Sequence, residues 1–159
     1  MIVLTAIAMA AAAQEGGKGP VPTVTATHFL VSDGAATPVE SRRVPYRPGS
    51  SCYQWVIEVP REDRELAVRE VFQLPGGARI WGGVDFDVDA AAPQDDAMTV
   101  VNGDRSTGVT EFTDSLDDGV ISHGWCVAPG DPTGAHRIRV FIGDRLLQEF
   151  RFEIVAESY

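Results

Sequence analysis

The first candidate for chemistry is a run of alternating aspartates near the middle of the chain, Asp85, Asp87 and Asp89. Alternate carboxylates in a loop can converge on a calcium ion, but the same spacing describes a strand with an acidic face turned to solvent. An EF-hand loop needs glycine at its sixth position and glutamate at its twelfth, where this chain has Ala90 and Asp96. We interpret the run as part of a binding surface, and calcium stays open as the alternative.

Trp81 lies just before these aspartates and is followed by two glycines. The other tryptophans, Trp55 and Trp125, fall on apolar positions of predicted strands, so we expect their large rings in the core. Trp81 has no such pattern around it, and the segment from Trp81 to Asp96 is acidic and rich in alanine and proline. We therefore predict a long surface loop in which Trp81 and the three aspartates form the binding surface.

Histidines are the next candidates, and the chain has three, His28, His123 and His136. None forms the close HxH or HxxxH pair that is typical of zinc or copper sites, so the fold would have to gather them. His123 and His136 are the best placed, because we expect their strands to be neighbours. The sequence predicts no metal and no cofactor, with these two residues as the candidate ligands.

Catalytic motifs are missing from the sequence. There is no GxSxG nucleophile elbow. Ser122 and His123 are adjacent, but neighbours in a strand point to opposite faces, so the pair cannot form the hydrogen bond that activates a serine. The many carboxylates have no recognisable acid or base role without a cleft. The sequence therefore predicts that the chain is not an enzyme.

The two cysteines, Cys52 and Cys126, lie far apart, and neither belongs to a CxxC motif. In an oxidising compartment such a pair is expected to form a disulfide, while two inert buried thiols are the alternative. Closing a loop of this length would stabilise the fold by roughly 4 kcal/mol on the chain-entropy model.

The N-terminal residues indicate export. Residues 1–13 are uncharged and apolar and end in three alanines, as a signal peptide does before its cleavage site. A short buried helix is the alternative, but residues 14–22 form a Gly/Pro-rich flexible linker that would detach it. We expect residues 23–159 to form a single domain, located in the periplasm or secreted. The apolar run is too short to span a bilayer, so no transmembrane segment is expected.

The charge of the chain argues against nucleic acid as a partner. The formal net charge is -10 and the isoelectric point is about 4.6. Neutralising phosphates requires clustered lysines and arginines, whereas the 13 cations of this chain are scattered through the sequence. We expect a protein partner instead.

Strand periodicity is clearest near the C-terminus. In His136 to Ile142 apolar residues alternate with arginines, and in the last predicted strand Phe150, Phe152 and Ile154 alternate with charged residues. Gly143 and Asp144 lie between these strands and suit a tight hairpin turn. A one-residue slip would expose the phenylalanines, so the register is well defined.

Earlier segments also predict strands. Glu65–Leu74 alternates apolar and polar residues, with Glu70 as the odd member on the apolar face, and a helix over 61–73 is the alternative. Pro38 and Pro45 restrict the segment 37–46 to an edge or irregular strand. Further strands are predicted at 23–32, 52–59, 98–101, 108–112 and from Val120. The sequence thus predicts an all-β, immunoglobulin-like antiparallel β-sandwich of about 7–9 strands.

The C-terminal motifs resemble the bacterial secreted immunoglobulin-like domains of the uncharacterised DUF3859 type. The similarity rests on a strand with Trp125, the Asp131-Pro132-x-Gly134 turn, Ile138-x-Val140, and a closing Phe150-x-Phe152-x-Ile154. In antibody-type domains a tryptophan packs on a disulfide in the core. Here the cysteines have the opposite parity to Trp55 and Trp125, which places the bridge on the face away from the tryptophans, unless a bulge resets the parity.

Together these features predict a non-catalytic exported binding or accessory module. A small secreted metal-binding protein or enzyme is one alternative, and it would require the aspartates or His123 and His136 to meet in one pocket. The other alternative is a structural subunit that assembles by strand addition, with the strand at 23–32 as the one it would lend.

Overall fold

The computed structural model describes residues 19–34, 36–78 and 98–156. All regular elements within these ranges are β-strands. They are β1 (Ala26–Asp33), β2 (Val39–Glu40), β3 (Arg43–Pro45), β4 (Ser51–Glu58), β5 (Glu65–Gln73), β6 (Met98–Val101), β7 (Thr107–Ser115), β8 (Val120–Cys126), β9 (Gly134–Ile142) and β10 (Arg145–Val155).

The strands form two sheets that pack face to face around one core. The four-stranded sheet has the order β2-β1-β4-β8, and the six-stranded sheet has the order β3-β10-β9-β5-β7-β6. The predicted all-β sandwich is confirmed. One pair departs from the antiparallel expectation, because β3 runs parallel to β10 and places Arg43 opposite Glu153.

The strand count also fits the prediction. The segment predicted as one irregular strand over 37–46 forms two short pieces, β2 in one sheet and β3 in the other. The chain crosses between the sheets at Ser41 and Arg42, so a single continuous strand is not possible there. Counted as one, these pieces give nine strands in the described ranges.

The segment predicted as a strand or, alternatively, as a helix over 61–73 forms the strand β5. Leu66, Val68 and Phe72 are buried at alternating positions, and the strand is paired on both sides, with β7 and β9. The helix alternative was wrong, because burial follows a period of two residues along the whole segment. Glu70 lies on the same buried face as these apolar residues.

The hairpin of β9 and β10 has the predicted register. Phe150 is paired with Ile138 and Phe152 with His136, and all four side chains are buried. Gly143 begins the turn with a φ of 58°, a left-handed conformation that glycine adopts without steric cost.

Aromatic rings from both sheets fill the core. Phe29 of β1 stacks on Phe152 of β10 at 4.7 Å between ring centres, and Trp55 of β4 stacks on Phe150 at 5.9 Å. Trp125 of β8 packs against the same aromatic cluster. The expectation that Trp55 and Trp125 belong to the core is confirmed by their burial.

The N-terminal end of the described chain lies against the sandwich. Pro22 is buried, and Arg64 donates a hydrogen bond of 2.8 Å to the carbonyl oxygen of Pro20. β1 is hydrogen-bonded to strands of its own chain on both edges, β2 and β4. Residues 1–13, the predicted signal peptide, lie outside the described residues. None of the described segments is a helix long and apolar enough to cross a membrane.

Candidate functional site

The residues of the predicted binding surface, Trp81, Asp85, Asp87 and Asp89, lie outside the described residues. Their role stays a prediction.

The predicted disulfide is present between β4 and β8. Cys52 and Cys126 are directly opposite in the antiparallel register, with their Cα atoms 3.9 Å apart. Their neighbours Tyr53 and Trp125 point into the core. Since alternate residues of a strand face opposite sides, the bridge lies on the outer face of the four-stranded sheet. This is the face away from the tryptophans, as the parity indicated, and no bulge interrupts the pairing.

A groove of about 220 Å³ runs beside the disulfide. It is lined by residues from β1, β4 and β8 and by Pro38, and none of the residues that line it is charged. Ser32 and Gln54 are the polar side chains on this surface. The groove offers few hydrogen-bonding groups, which fixes little about a ligand's orientation.

His123 and His136 are not neighbours, contrary to expectation. His123 belongs to β8 of the four-stranded sheet, whereas His136 belongs to β9 of the six-stranded sheet. Trp125 and Phe72 lie between their rings, because Trp125 contacts both His123 and Phe72, and Phe72 in turn contacts His136. Within the described ranges no three His, Cys, Asp or Glu side chains are grouped to hold a metal ion.

The most unusual polar group is Glu70, whose side chain is completely buried between the sheets. Trp125 donates its indole N–H to Oε1 at 2.8 Å, and Trp55 donates its indole N–H to Oε2. A carboxylate only accepts hydrogen bonds, so each oxygen receives a matching donor from the opposite sheet. The pair of indole hydrogen bonds therefore joins β5 to both β4 and β8 through the core.

His123 extends this cluster toward solvent. Its Nδ1 lies 3.4 Å from Oε2 of Glu70, and its side chain is 20% exposed. Its ring stacks on Phe112 at 5.0 Å and contacts Trp125 edge-on. The imidazole is thus stacked on one aromatic ring and meets a second edge-on, so it is packed as a core residue at the edge of the sandwich. We refer to Trp55, Glu70, His123 and Trp125 as the Glu70 cluster.

Tyr53 is a buried residue whose pKa reflects the low solvent exposure of the core around this cluster. Burial raises the pKa of Tyr53 well above its usual value, and the negative charges of Asp131 and Glu70 raise it further. The phenol therefore keeps its proton at any physiological pH and cannot act as a base.

His136 is a second buried polar group in the core. Its Nδ1 lies 2.8 Å from the carbonyl oxygen of Gly134, which can only accept, so Nδ1 carries the proton. Its Nε2 is buried and has no hydrogen-bond partner among the described residues. Burial lowers the pKa of His136, and the hydrogen bond to Gly134 offsets part of that effect. The ring stacks on Phe152 at 5.1 Å and behaves as one more aromatic group of the core.

The outer face of the six-stranded sheet carries a different surface. Phe141 of β9 lies beside two arginines, whose guanidinium carbons are 4.6 Å (Arg69) and 5.8 Å (Arg139) from its ring centre. Leu146 of β10 is opposite Phe141 in register and is 48% exposed. Val71 is opposite Arg139. We call this surface, Arg69, Val71, Arg139, Phe141 and Leu146, the arginine face.

An open groove of about 470 Å³ flanks the arginine face where the β9–β10 hairpin ends. Its charged lining residues are Arg69, Glu111 and Asp144. Pairing of β5 with β9 begins at Arg69 and Phe141, so the preceding residues of β5, including Ala67, have no β9 partner beside them. The groove is thus the space left beside β5 beyond the hairpin turn.

Sequence reasoning missed both the Glu70 cluster and the arginine face. A signal for the first was present, because two tryptophans placed in a core require acceptors for their indole N–H groups, and Glu70 was the polar residue on an apolar face. A signal for the second was the alternation of Arg137, Arg139 and Phe141 on the solvent side of β9.

Comparison with known proteins identifies the architecture. A family model described as the PM0630 beta sandwich domain matches residues 25–155. The solved structures include a similar one, an immunoglobulin-like protein, PA1606, from Pseudomonas aeruginosa, with a TM-score of 0.53 and 16% sequence identity. The alignment covers 87% of this chain and 100% of that chain. At this identity the likeness establishes the fold alone, which is immunoglobulin-like as predicted. No curated protein matches.

Proposed function

Because the chain belongs to the PM0630 beta sandwich domain family, with an immunoglobulin-like fold, we propose that it is a non-catalytic, exported binding or accessory module with a protein partner. We also propose that it is related to the secreted immunoglobulin-like domains of the DUF3859 type, which its C-terminal motifs resemble. A sandwich of this kind hosts many functions, so the proposal depends on the sites of this chain rather than on its architecture.

The observation that carries the proposal is the state of the Glu70 cluster. A carboxylate and a histidine within 3.4 Å of each other would be the natural start of an acid–base site. Here both oxygens of Glu70 are occupied by indole N–H groups, and the side chain has no exposed surface. The polar groups of this cluster are therefore used to join the sheets, which leaves the outer faces and the predicted surface around Trp81 as the candidates for binding.

Export is supported by the chemistry of the cysteines. The bridge between Cys52 and Cys126 lies on an outer face, and structural disulfides persist in oxidising compartments and are rare in the cytosol. A periplasmic or secreted location agrees with the predicted signal peptide over residues 1–13. The acidic net charge of -10 gives no support to a nucleic-acid partner.

The experiment is site-specific photocrosslinking in the living cells that produce the protein. A photoreactive amino acid replaces Gln54 on the outer face of the four-stranded sheet, or Val71 on the arginine face. The control position is Gly103, in the turn between β6 and β7, where no described atom lies within 4 Å of an added Cβ. We expect a discrete, light-dependent protein adduct from at least one face and none from Gly103. Absence of an adduct from both faces would contradict the proposal.

A further inference from the structure

The arginine face is the cationic part of an acidic molecule. The chain carries a formal charge of -10. On this face of the six-stranded sheet the charged strand residues within the described ranges are five arginines and four glutamates. By register and parity they are Arg43, Arg69, Arg137, Arg139, Arg151, Glu65, Glu111, Glu149 and Glu153.

Two arginines at the centre of this face form no ion pair within the described ranges. Two others share one carboxylate, because Glu149 lies 2.6 Å from Arg151 and 4.0 Å from Arg137. Arg69 and Arg139 are opposite Glu111 and Glu149 in register but form no ion pair with any described residue. Nε of Arg139 is buried and has no hydrogen-bond partner among the described residues. Arg69 donates one hydrogen bond, to the carbonyl oxygen of Gly143 at 3.3 Å. Apart from the buried Nε of Arg139 and the donor that Arg69 gives to Gly143, the N–H groups of these two guanidinium groups have no protein acceptor within the described ranges.

Apolar side chains lie between the available charges. The Phe141 ring is flanked by both guanidinium groups, Leu146 beside it is 48% exposed, and Val71 adjoins Arg139. Arginine and aromatic residues next to apolar side chains are the composition enriched at the centre of protein interfaces. A guanidinium group positioned on an aromatic ring is also oriented in advance, which reduces the entropy lost when it binds a carboxylate.

We infer that the arginine face binds an acidic segment of the partner protein. Carboxylates of that segment pair with Arg69 and Arg139, and its apolar side chains cover Phe141 and Leu146. The inference rests on the proposed function and specifies the chemistry of the partner. A bidentate carboxylate matches the planar fork of arginine.

Two features favour a protein over a uniformly anionic polymer. Phosphate or sulfate chains have little apolar surface to cover Leu146 and Val71. The adjoining groove also presents Glu111 and Asp144, which would repel a chain that carries a negative charge at every unit. A protein segment can place carboxylates over the arginines and neutral residues beside the groove.

The test is a titration followed by nuclear magnetic resonance with the folded, disulfide-bonded protein. The probe is the peptide acetyl-(Glu-Leu-Glu-Thr)₂-amide, and the matched uncharged peptide has glutamine in place of glutamate. We expect saturable shift changes at outer-face residues of β5 and β9. The double variant R69Q/R139Q should weaken binding about tenfold, since two charge-assisted contacts are lost. The charge-matched control R43Q/R151Q should change it less than about twofold.

Several results would overturn the inference. Binding is contradicted if the glutamate peptide gives no saturable shifts. The role of the two arginines is contradicted if the glutamine peptide binds equally well or if both double variants lose equal affinity. Equally effective competition by inorganic tripolyphosphate would indicate a general anion site. Thermal melts of both variants are recorded to check that they remain folded. A crosslink in cells from Gln54 and not from Val71 would contradict this inference while it supports the proposed binding function, so the two can fail separately.

Discussion

At the scale of single residues, the interior depends on how Glu70 is hydrogen-bonded. A buried carboxylate is costly unless its oxygens receive donors, and here two indole N–H groups supply them. The arrangement fixes the rings of Trp55 and Trp125 and thereby the relation of the two sheets. Glu70 is thus a structural residue that holds polar partners in a core that is otherwise aromatic.

We predict that Glu70→Gln destabilises the protein by about 2 kcal/mol, because the amide offers one acceptor oxygen and sets its own N–H₂ group against the second indole donor. The measurement is urea unfolding followed by tryptophan fluorescence. Glu111→Gln, an exposed change of the same chemistry on β7, is the control and should lie within about 0.5 kcal/mol of the parent. An E70Q variant as stable as the parent would show that the indole pair does not depend on the charge.

His136 gives a prediction on pH. Burial lowers the pKa of His136 from the usual 6.5. Just below that pH the imidazole therefore binds a proton in the unfolded chain but stays neutral in the folded protein. Stability should therefore fall as the pH drops below about 6.5, until the lowered pKa of the folded state is reached. Asp114 and Asp131, whose pKa values burial raises, act in the opposite direction at lower pH.

The variant His136→Phe isolates the effect of His136. Phenylalanine keeps the stacking on Phe152 and Phe72 and cannot take up a proton. The difference in unfolding free energy between parent and variant should change in the variant's favour as the pH falls from about 7.5 to about 5.5. A difference that is constant across this range would contradict the burial argument.

At the scale of elements, the disulfide ties two strands that are already paired. Removing it with C52A/C126A should lower the unfolding free energy by up to about 4 kcal/mol, since the bridge closes a loop with a sequence separation of 74 residues. The control is Q54A/S122A, which removes a hydrogen bond of 3.0 Å between the same strands on the same face. That loss should be about 1 kcal/mol. Equal losses would mean that the bridge adds no more than a surface hydrogen bond does.

Much at the element scale could be predicted from local pattern. The β9–β10 hairpin and the burial alternation of β5 follow from residues that are close in sequence, so parity and turn chemistry are sufficient. Parity also placed the disulfide on the correct face. The strands of His123 and His136 were wrongly predicted to be neighbours because the chain passes from one sheet to the other between β8 and β9, and a local pattern does not reveal such a change of layer.

The sites were harder to predict than the strands. Glu70 receives its hydrogen bonds from β4 and β8, elements of the other sheet, so its partners are known only once the layers are assembled. Similarly, Arg69 and Phe141 lie 72 positions apart and meet because β5 pairs with β9. Contacts that depend on tertiary pairing are only weakly predicted by the periodicity of a single sequence.

At the scale of the whole molecule, the two outer faces differ in character. The face of the four-stranded sheet carries the disulfide and an uncharged groove, whereas the other sheet presents, around Phe141, two arginines that form no ion pair with a described residue. Between the sheets, Glu70 receives hydrogen bonds from both tryptophans of the opposite layer. Two outer faces of different chemistry support the proposed role as a binding module.

The most direct test of this account is the intact mass of the chain isolated from the cells that produce it, measured before and after reduction. We predict a mature chain that begins at Gln14 and gains about two daltons on reduction, the mass of two hydrogens taken up by the disulfide. A chain that still begins at Met1 and has two free thiols would contradict export and the oxidised bridge together.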